Sequence, residues 1–166
     1  MKKTVSLILA AVFAAYCLSG CAIIPQKVEM ATFFSDNGYS IDYPAHYTPT
    51  SLKNTIDFVI TDEKSGSGVT IMATPNQEGL LDVPAEDYIA AIKSNAKYDV
   101  ELVSYNKETI NQTPALIICY TYGSATVTQA LYDASDNSYC VTFTKMPGID
   151  DATAAELEAL LRALRV

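Results

Sequence analysis

The chain has 166 residues, 19 acidic against 11 basic, a formal charge of −8 and 49% hydrophobic content. That length is one domain's worth, enough to close a core without disulfides or metal. The acidic balance argues against a phosphate-backbone partner and against adhesion to anionic headgroups, so no nucleic acid is expected.

The first element is an export signal. Lys2 and Lys3 precede residues 7–18 (LILAAVFAAYCL), an unbroken apolar run. Its length suits a signal h-region and falls short of the ~20 residues that span a bilayer. Leu18-Ser19-Gly20-Cys21 closes the run and resembles the lipobox of bacterial lipoproteins. The resemblance implies a diacylglyceryl thioether on Cys21 and cleavage just before it. Two acyl chains of the palmitate kind anchor stably, whereas one binds only marginally. A plain secretory signal is the alternative, but no good A-x-A site lies near. The expected division is a signal peptide at 1–20, a lipid-anchored tether at 21–31 and one domain at 32–166. The expected location is a cell membrane, facing outside the cytoplasm. Loss of residues 1–20 removes two lysines, which leaves 146 residues with a charge near −10.

Residues 22–31 (AIIPQKVEMA) lack a clean period and contain Pro25. As a flexible tether they reach roughly 15–20 Å. Residues 32–34 predict a short strand, Asp36-Asn37-Gly38 a turn, and residues 39–43 (YSIDY) a half-buried strand of period two that Pro44 stops. His46-Tyr47-Thr48-Pro49 reads as loop. Residues 56–61 (IDFVIT) and 69–73 (VTIMA) are strands joined by a Ser/Gly-rich hairpin loop. A helix is predicted to start near Pro84, capped by Asp82 or a neighbour. Ala85, Tyr88, Ile89, Ile92 and Ala96 share its apolar face, with acids in the first turn and lysines in the last.

Two further strands are predicted at 100–105 and 108–110. Three more follow at 115–122 (ALIICYTY), 125–132 (ATVTQALY) and 138–144 (SYCVTFT). Their short links predict an antiparallel meander. The first of the three is nearly all apolar and should be central, covered on both faces. Thr153 to Glu156 has capping-box spacing, and Leu157, Leu160, Leu161 and Leu164 form a helical stripe to the chain's end. The whole predicts an α+β domain, a mostly antiparallel sheet with a helix available to each face.

Residues 38–44 (GYSIDYP) are similar to the entry motif of the Mog1/PsbP-like superfamily, an aromatic strand followed by Pro. The mid-chain helix, the Gln112-Thr-Pro-Ala115 lead-in, the meander and the closing helix occur in the same order. The resemblance covers residues 32–166 and implies a three-layer α/β/α sandwich, in a family whose bacterial members are often lipoprotein-like. The sequence departs from the pattern at His46-Tyr47, where a Trp often follows the Pro. The family's plant members assist a photosystem and Mog1 binds a small GTPase. No shared motif carries either role here.

Chemistry is sparse. His46 is the sole histidine, and neither a G-x-S-x-G elbow nor H-E-x-x-H occurs. One His with two separated Cys is too few for zinc. The expectation is therefore no catalytic, cofactor or metal residue. Pairing of His46 with Cys119 or Cys140 is the one conceivable nucleophilic arrangement. These two cysteines fall on the first and third meander strands, roughly 9–10 Å apart and beyond the ~7 Å Cα limit of a disulfide, so two reduced, buried thiols are expected. Eleven tyrosines with no tryptophan suggest half-buried sheet packing or an aromatic binding face. Tyr43, His46 and Tyr47, around Pro44, are the expected binding edge. The functional expectation is a non-catalytic binding or accessory module for another envelope protein. The alternatives are a carrier for a small apolar or aromatic ligand between helix and sheet, and a hydrolase using His46.

Overall fold

A computed structural model describes residues 28–52, 56–76 and 78–166. The lipobox, Cys21 and residues 22–27 of the tether lie outside the described residues. In chain order the strands are β1 (Met30–Phe34), β2 (Ser40–Pro44), β3 (Thr50–Leu52), β4 (Ile56–Thr61) and β5 (Gly68–Pro75). Helix α1 (Ala85–Asn95) follows. Then come β6 (Val100–Ile110), β7 (Thr113–Tyr122), β8 (Ala125–Asp133), β9 (Asn137–Lys145), helix α2 (Asp151–Ala159) and β10 (Leu164–Arg165). β1 opens at Met30, two residues inside the stretch read as tether.

The strands form two sheets, one ordered β1-β2-β10 and the other β3-β4-β5-β9-β8-β7-β6. Every recorded pairing is antiparallel. The β7-β8-β9 meander is as the short links require. β7 is covered on both faces but lies one strand from the edge, and β9 holds the centre. An apolar run thus reports two covered faces and says nothing of position within the sheet.

Side-chain alternation builds two cores. Ile117, Ala130, Val141, Ile71 and Phe58 lie in register across five strands on one face, all buried. They meet Ile41 of the small sheet together with Leu157, Leu160, Leu161 and Leu164. On the opposite face Leu116, Ile118, Tyr120, Val127 and Leu131 pack under Ile89, Ile92 and Tyr88 of α1. Each fully buried Leu or Ile contributes roughly 1.5–3 kcal/mol over the exposed state. The cover of the first face is mixed, a three-stranded sheet plus α2, where the sequence reading offered a helix alone. The architecture is mostly antiparallel β with two helices.

Three local readings need correction. α1 starts at Ala85 with Pro84 in the N-cap position, whose fixed φ suits a helix entry, and no side chain caps it. Asp82 instead accepts from Lys107 Nζ at 2.8 Å. The cap of α2 is Asp150, which accepts from the Thr153 N–H at 2.9 Å, so Thr153 is a donor inside the first turn. The last helix also does not run to the chain's end. It tightens into a 3-10 turn at Leu160–Arg162, and Leu164 enters β10 opposite Ile41. Asn111 Nδ2 donates to the Leu164 carbonyl at 2.8 Å, and the Arg165 guanidinium grips Asp42 with two 2.7 Å bonds. The leucine stripe still reaches the core, but its last member arrives on a strand.

Candidate functional site

The site is built where α1 hands over to β6. Beyond Asn95 the chain turns at Ala96, whose N–H returns to the Lys93 carbonyl, and Tyr98 follows. This loop is held against the β7–β8 hairpin. The Gly123 N–H donates to the Asp99 carbonyl at 3.0 Å, and the Lys97 N–H to the Tyr122 hydroxyl at 3.4 Å. Gly123 has φ +59°, the left-handed conformation that the first position of a two-residue II′ hairpin demands. A Cβ there would press within 3.3 Å of the Tyr98 Cβ and Cγ atoms. The bare glycine therefore allows both the turn and the close seat of Tyr98. The Tyr98 and Tyr122 rings then meet edge to face at 5.4 Å, an arrangement the ring quadrupoles favour.

Beneath this pair lies a groove of about 590 Å³ open to solvent, floored by Tyr120, Val127 and Thr144 and flanked by Thr142 and Met146. Tyr120, Val127 and Thr144 are consecutive partners across β7, β8 and β9. The tyrosine pair is a ridge, since two further recesses adjoin it. One, of about 720 Å³, holds Lys93, Lys97, Asp99 and Glu101. The other, of about 460 Å³, runs along Tyr88, Ile92 and Tyr122. Tyr98 is 63% exposed, and Leu102 and Val103 are exposed just beyond it on β6. β6 is an edge strand, paired only with β7 among the described residues. The surface thus offers aromatic faces, threonine hydroxyls and an open strand edge.

A polar network stiffens the floor. Gln129 Oε1 accepts from Tyr88 at 2.8 Å and from Tyr120 at 3.4 Å. Its Nε2 donates to Thr142 Oγ1 at 3.2 Å and to Cys140 Sγ at 3.5 Å. Burial is the main reason the Tyr120 phenol is pushed up to about 12, with Cys140 and Tyr122 adding to it. Burial likewise raises the Tyr88 phenol and the Cys140 thiol. These groups stay neutral at physiological pH and serve as hydrogen-bonding supports. Cys140 is therefore more than an apolar filler.

The expected Tyr43, His46 and Tyr47 edge is only partly assembled. Tyr43 turns inward, its ring edge-on to Phe58 at 5.6 Å. His46 is exposed, packs tilted against the Tyr47 ring at 4.2 Å and holds Nε2 3.4 Å from Glu156 Oε2. Burial, reinforced by Glu156 and Asp62, pushes the Tyr47 phenol up to about 12. Cys119 and Cys140 are both free. Cys119 pairs with Thr128 and Cys140 with Leu131 on the two sides of β8, and alternation turns them to opposite faces of the sheet. Among the described residues no three His, Cys, Asp or Glu side chains gather as a metal cluster would. No described helix is long and apolar enough to cross a membrane.

No protein-family profile matches this chain, and no curated protein sequence matches it. Solved structures do. The solution structure of the cyanobacterial PsbP protein CyanoP, from Synechocystis sp. PCC 6803, superposes with a TM-score of 0.65 at 12% identity. That match covers 89% of this chain and 96% of CyanoP. A crystal structure from Bacteroides thetaiotaomicron matches with a TM-score of 0.50 at 16% identity, covering 81% of this chain and 47% of the other. At such identities the likeness speaks to backbone architecture alone, and what it establishes is a PsbP-like fold.

Proposed function

We propose that this chain is an extracytoplasmic lipoprotein, anchored by lipid on Cys21, whose domain is a non-catalytic binding or accessory module for another envelope protein. The observation that carries the docking role is the ridge of Tyr98 and Tyr122 beside the unpaired edge of β6. Exposed tyrosine and aliphatic side chains next to a strand edge that no other described strand occupies are what a protein partner uses, by side-chain burial and by strand addition. The leucine-rich cover on one face and α1 on the other are the outer layers of the three-layer sandwich in this reading. The experiment is photo-crosslinking from position 98 in intact cells, with identification of the adduct. A discrete envelope protein, lost when Tyr122 is replaced by Ala, supports the reading. Lack of any protein adduct from position 98 defeats it.

A carrier role is the second reading, favoured by one observation. The groove's volume of about 590 Å³ falls in the ~300–1,000 Å³ range of small-molecule sites. Native mass spectrometry of the protein taken gently from its membrane separates the two, since a carrier retains a small apolar or aromatic molecule. The hydrolase reading draws least support, because the partners found for His46 are Glu156 and Tyr47. The edge formed by His46 and Tyr47, with Tyr43 behind it, serves as the comparison surface in crosslinking.

A further inference from the structure

We infer that the outer face of β1, with Val28 before it and Leu52 beside it, rests on the membrane surface next to the anchor. The inference rests on the lipid-anchor reading of Cys21. Val28 is 46% exposed, Met30 51%, Leu52 59% and Phe34 78%. Strand alternation sets this face. Phe33 turns inward onto Phe58 at 5.3 Å, so Met30 and Phe34 are left outward. Phe34 and Leu52 line one shallow recess, which makes them neighbours across the two sheets. Between Met30 and Phe34, Thr32 donates to Asp42 at 2.6 Å and Asp42 is held by Arg165, so the polar centre of the face is satisfied internally.

Chain length names the occupant. Six residues separate Cys21 from Val28, and even fully extended the seven steps between them span at most about 25 Å. A domain tied by so short a segment presents its first strand to the bilayer. A second exposed apolar group, Tyr98, Leu102 and Val103, lies by β6 at the opposite edge of the large sheet. Six strand spacings separate β3 from β6, roughly 29 Å. Within the small sheet it is β1 that lies by the near edge, where Phe33 meets Phe58 of β4 and Ser35 donates to Asp57 at 3.0 Å, while β10 reaches toward the β6–β7 turn at Asn111. One apolar patch thus faces the anchor while the other is carried away from it. Asp36 and Asp57 border the recess and the chain is acidic overall, so the surface contacted is zwitterionic, not anionic. The acyl chains supply affinity, and the patch sets orientation by seating Phe34 at the headgroup level.

The chain contains no tryptophan, so a single introduced indole reports its own surroundings. Phe34→Trp replaces a highly exposed ring and leaves the core alone. Tyr98→Trp is the far-edge control. Each full-length protein is purified in lipidated form and reconstituted in phosphatidylcholine vesicles with or without brominated acyl chains. The expected result is blue-shifted emission from Phe34→Trp, with about half or more lost to brominated lipid at interfacial depth, and neither change from Tyr98→Trp. Unquenched, red-shifted emission from Phe34→Trp in protein whose N-terminal peptide carries the lipid mass overturns the inference and leaves the anchor intact. Quenching without lipid on Cys21 supports the patch and overturns the anchor. Neither lipid nor quenching overturns both. Equal quenching at both positions also overturns it, because the domain then has no preferred face.

Discussion

Leu161→Ala tests the packing that joins the two sheets. Leu161 has no exposed surface and lies in the core shared by the small sheet, α2 and the first face of the large sheet. Truncating a buried Leu removes transfer energy and leaves a cavity, at a cost of about 2–5 kcal/mol that depends on how far the surroundings collapse. Collapse is restricted here. The Leu161 carbonyl accepts a hydrogen bond from the Tyr132 hydroxyl, and three residues later Leu164 is fixed opposite Ile41. The backbone is pinned at Leu161 and again just beyond it, which places the cost in the upper half of the range, about 3–5 kcal/mol. In a domain of this size each kcal/mol moves Tm by roughly 3 °C, so the expected fall is about 10–15 °C. Leu161→Asp leaves a buried carboxylate without a partner and should abolish cooperative folding. Thermal and urea unfolding followed by circular dichroism provide the readout. Leu102→Ala, on the exposed edge, is the control and should stay within about 0.5 kcal/mol of wild type. A Leu161→Ala protein melting within about 2 °C of wild type refutes the packing.

Two further outcomes are expected. Alkylation of the denatured, unreduced domain should label both Cys119 and Cys140, and in the native protein the half-buried Cys140 should react slowly because desolvation raises its thiol pKa. A 2 Da mass deficit with no label contradicts the strand order. The Arg165 hydrogen bonds, then that of Thr32, hold the Asp42 carboxyl below its ordinary value. With the folded pKa depressed, the native state binds fewer protons, so this stabilisation is present above the ordinary carboxylate pKa and is lost as pH falls through the lower folded value. Asp42→Asn should flatten that part of the acid limb, and an unchanged pH–stability profile below pH 5 counts against the ion pair.

The legible parts of the chain are those where short-range chemistry and tertiary need agree. Residues 56–61 read as a strand and form one, because alternation, β-branching and burial coincide. The Gly123-Ser124 link reads as a hairpin because glycine announces the positive φ. The hairpin at Asn111 and Gln112 needs the same conformation at both residues, with φ of 50° and 69°. Gln carries no such signal, so nothing local joins β6 to β7 as one hairpin, and the polar pair Asn106-Lys107 divides the eleven residues of β6 into two apparent strands. β3 is exposed at every position and so lacks the alternation that marks a strand. β10 depends on its pairing with β2, more than a hundred residues earlier.

The candidate site was legible only in composition. Excess tyrosine pointed to an aromatic surface but not to which one. Tyr43 shares strand parity with Ile41, which is buried, and that parity already marked it as inward. The signal for the groove was weaker. A tyrosine just past the lysines of α1 and a two-residue glycine turn are visible separately, and nothing local says that Tyr98 and Tyr122 meet. That contact is set by the antiparallel register of β6 and β7, where Val100 lies opposite Tyr122.

The most direct measurement is photo-crosslinking in intact cells with benzoylphenylalanine placed in turn at Tyr98 and at His46. The account predicts one discrete envelope-protein adduct from position 98, absent in a Tyr122→Ala background and recovered when the captured protein is tagged and pulled down in reverse. Adducts from position 46 with none from position 98, or no protein adduct from either, contradict it.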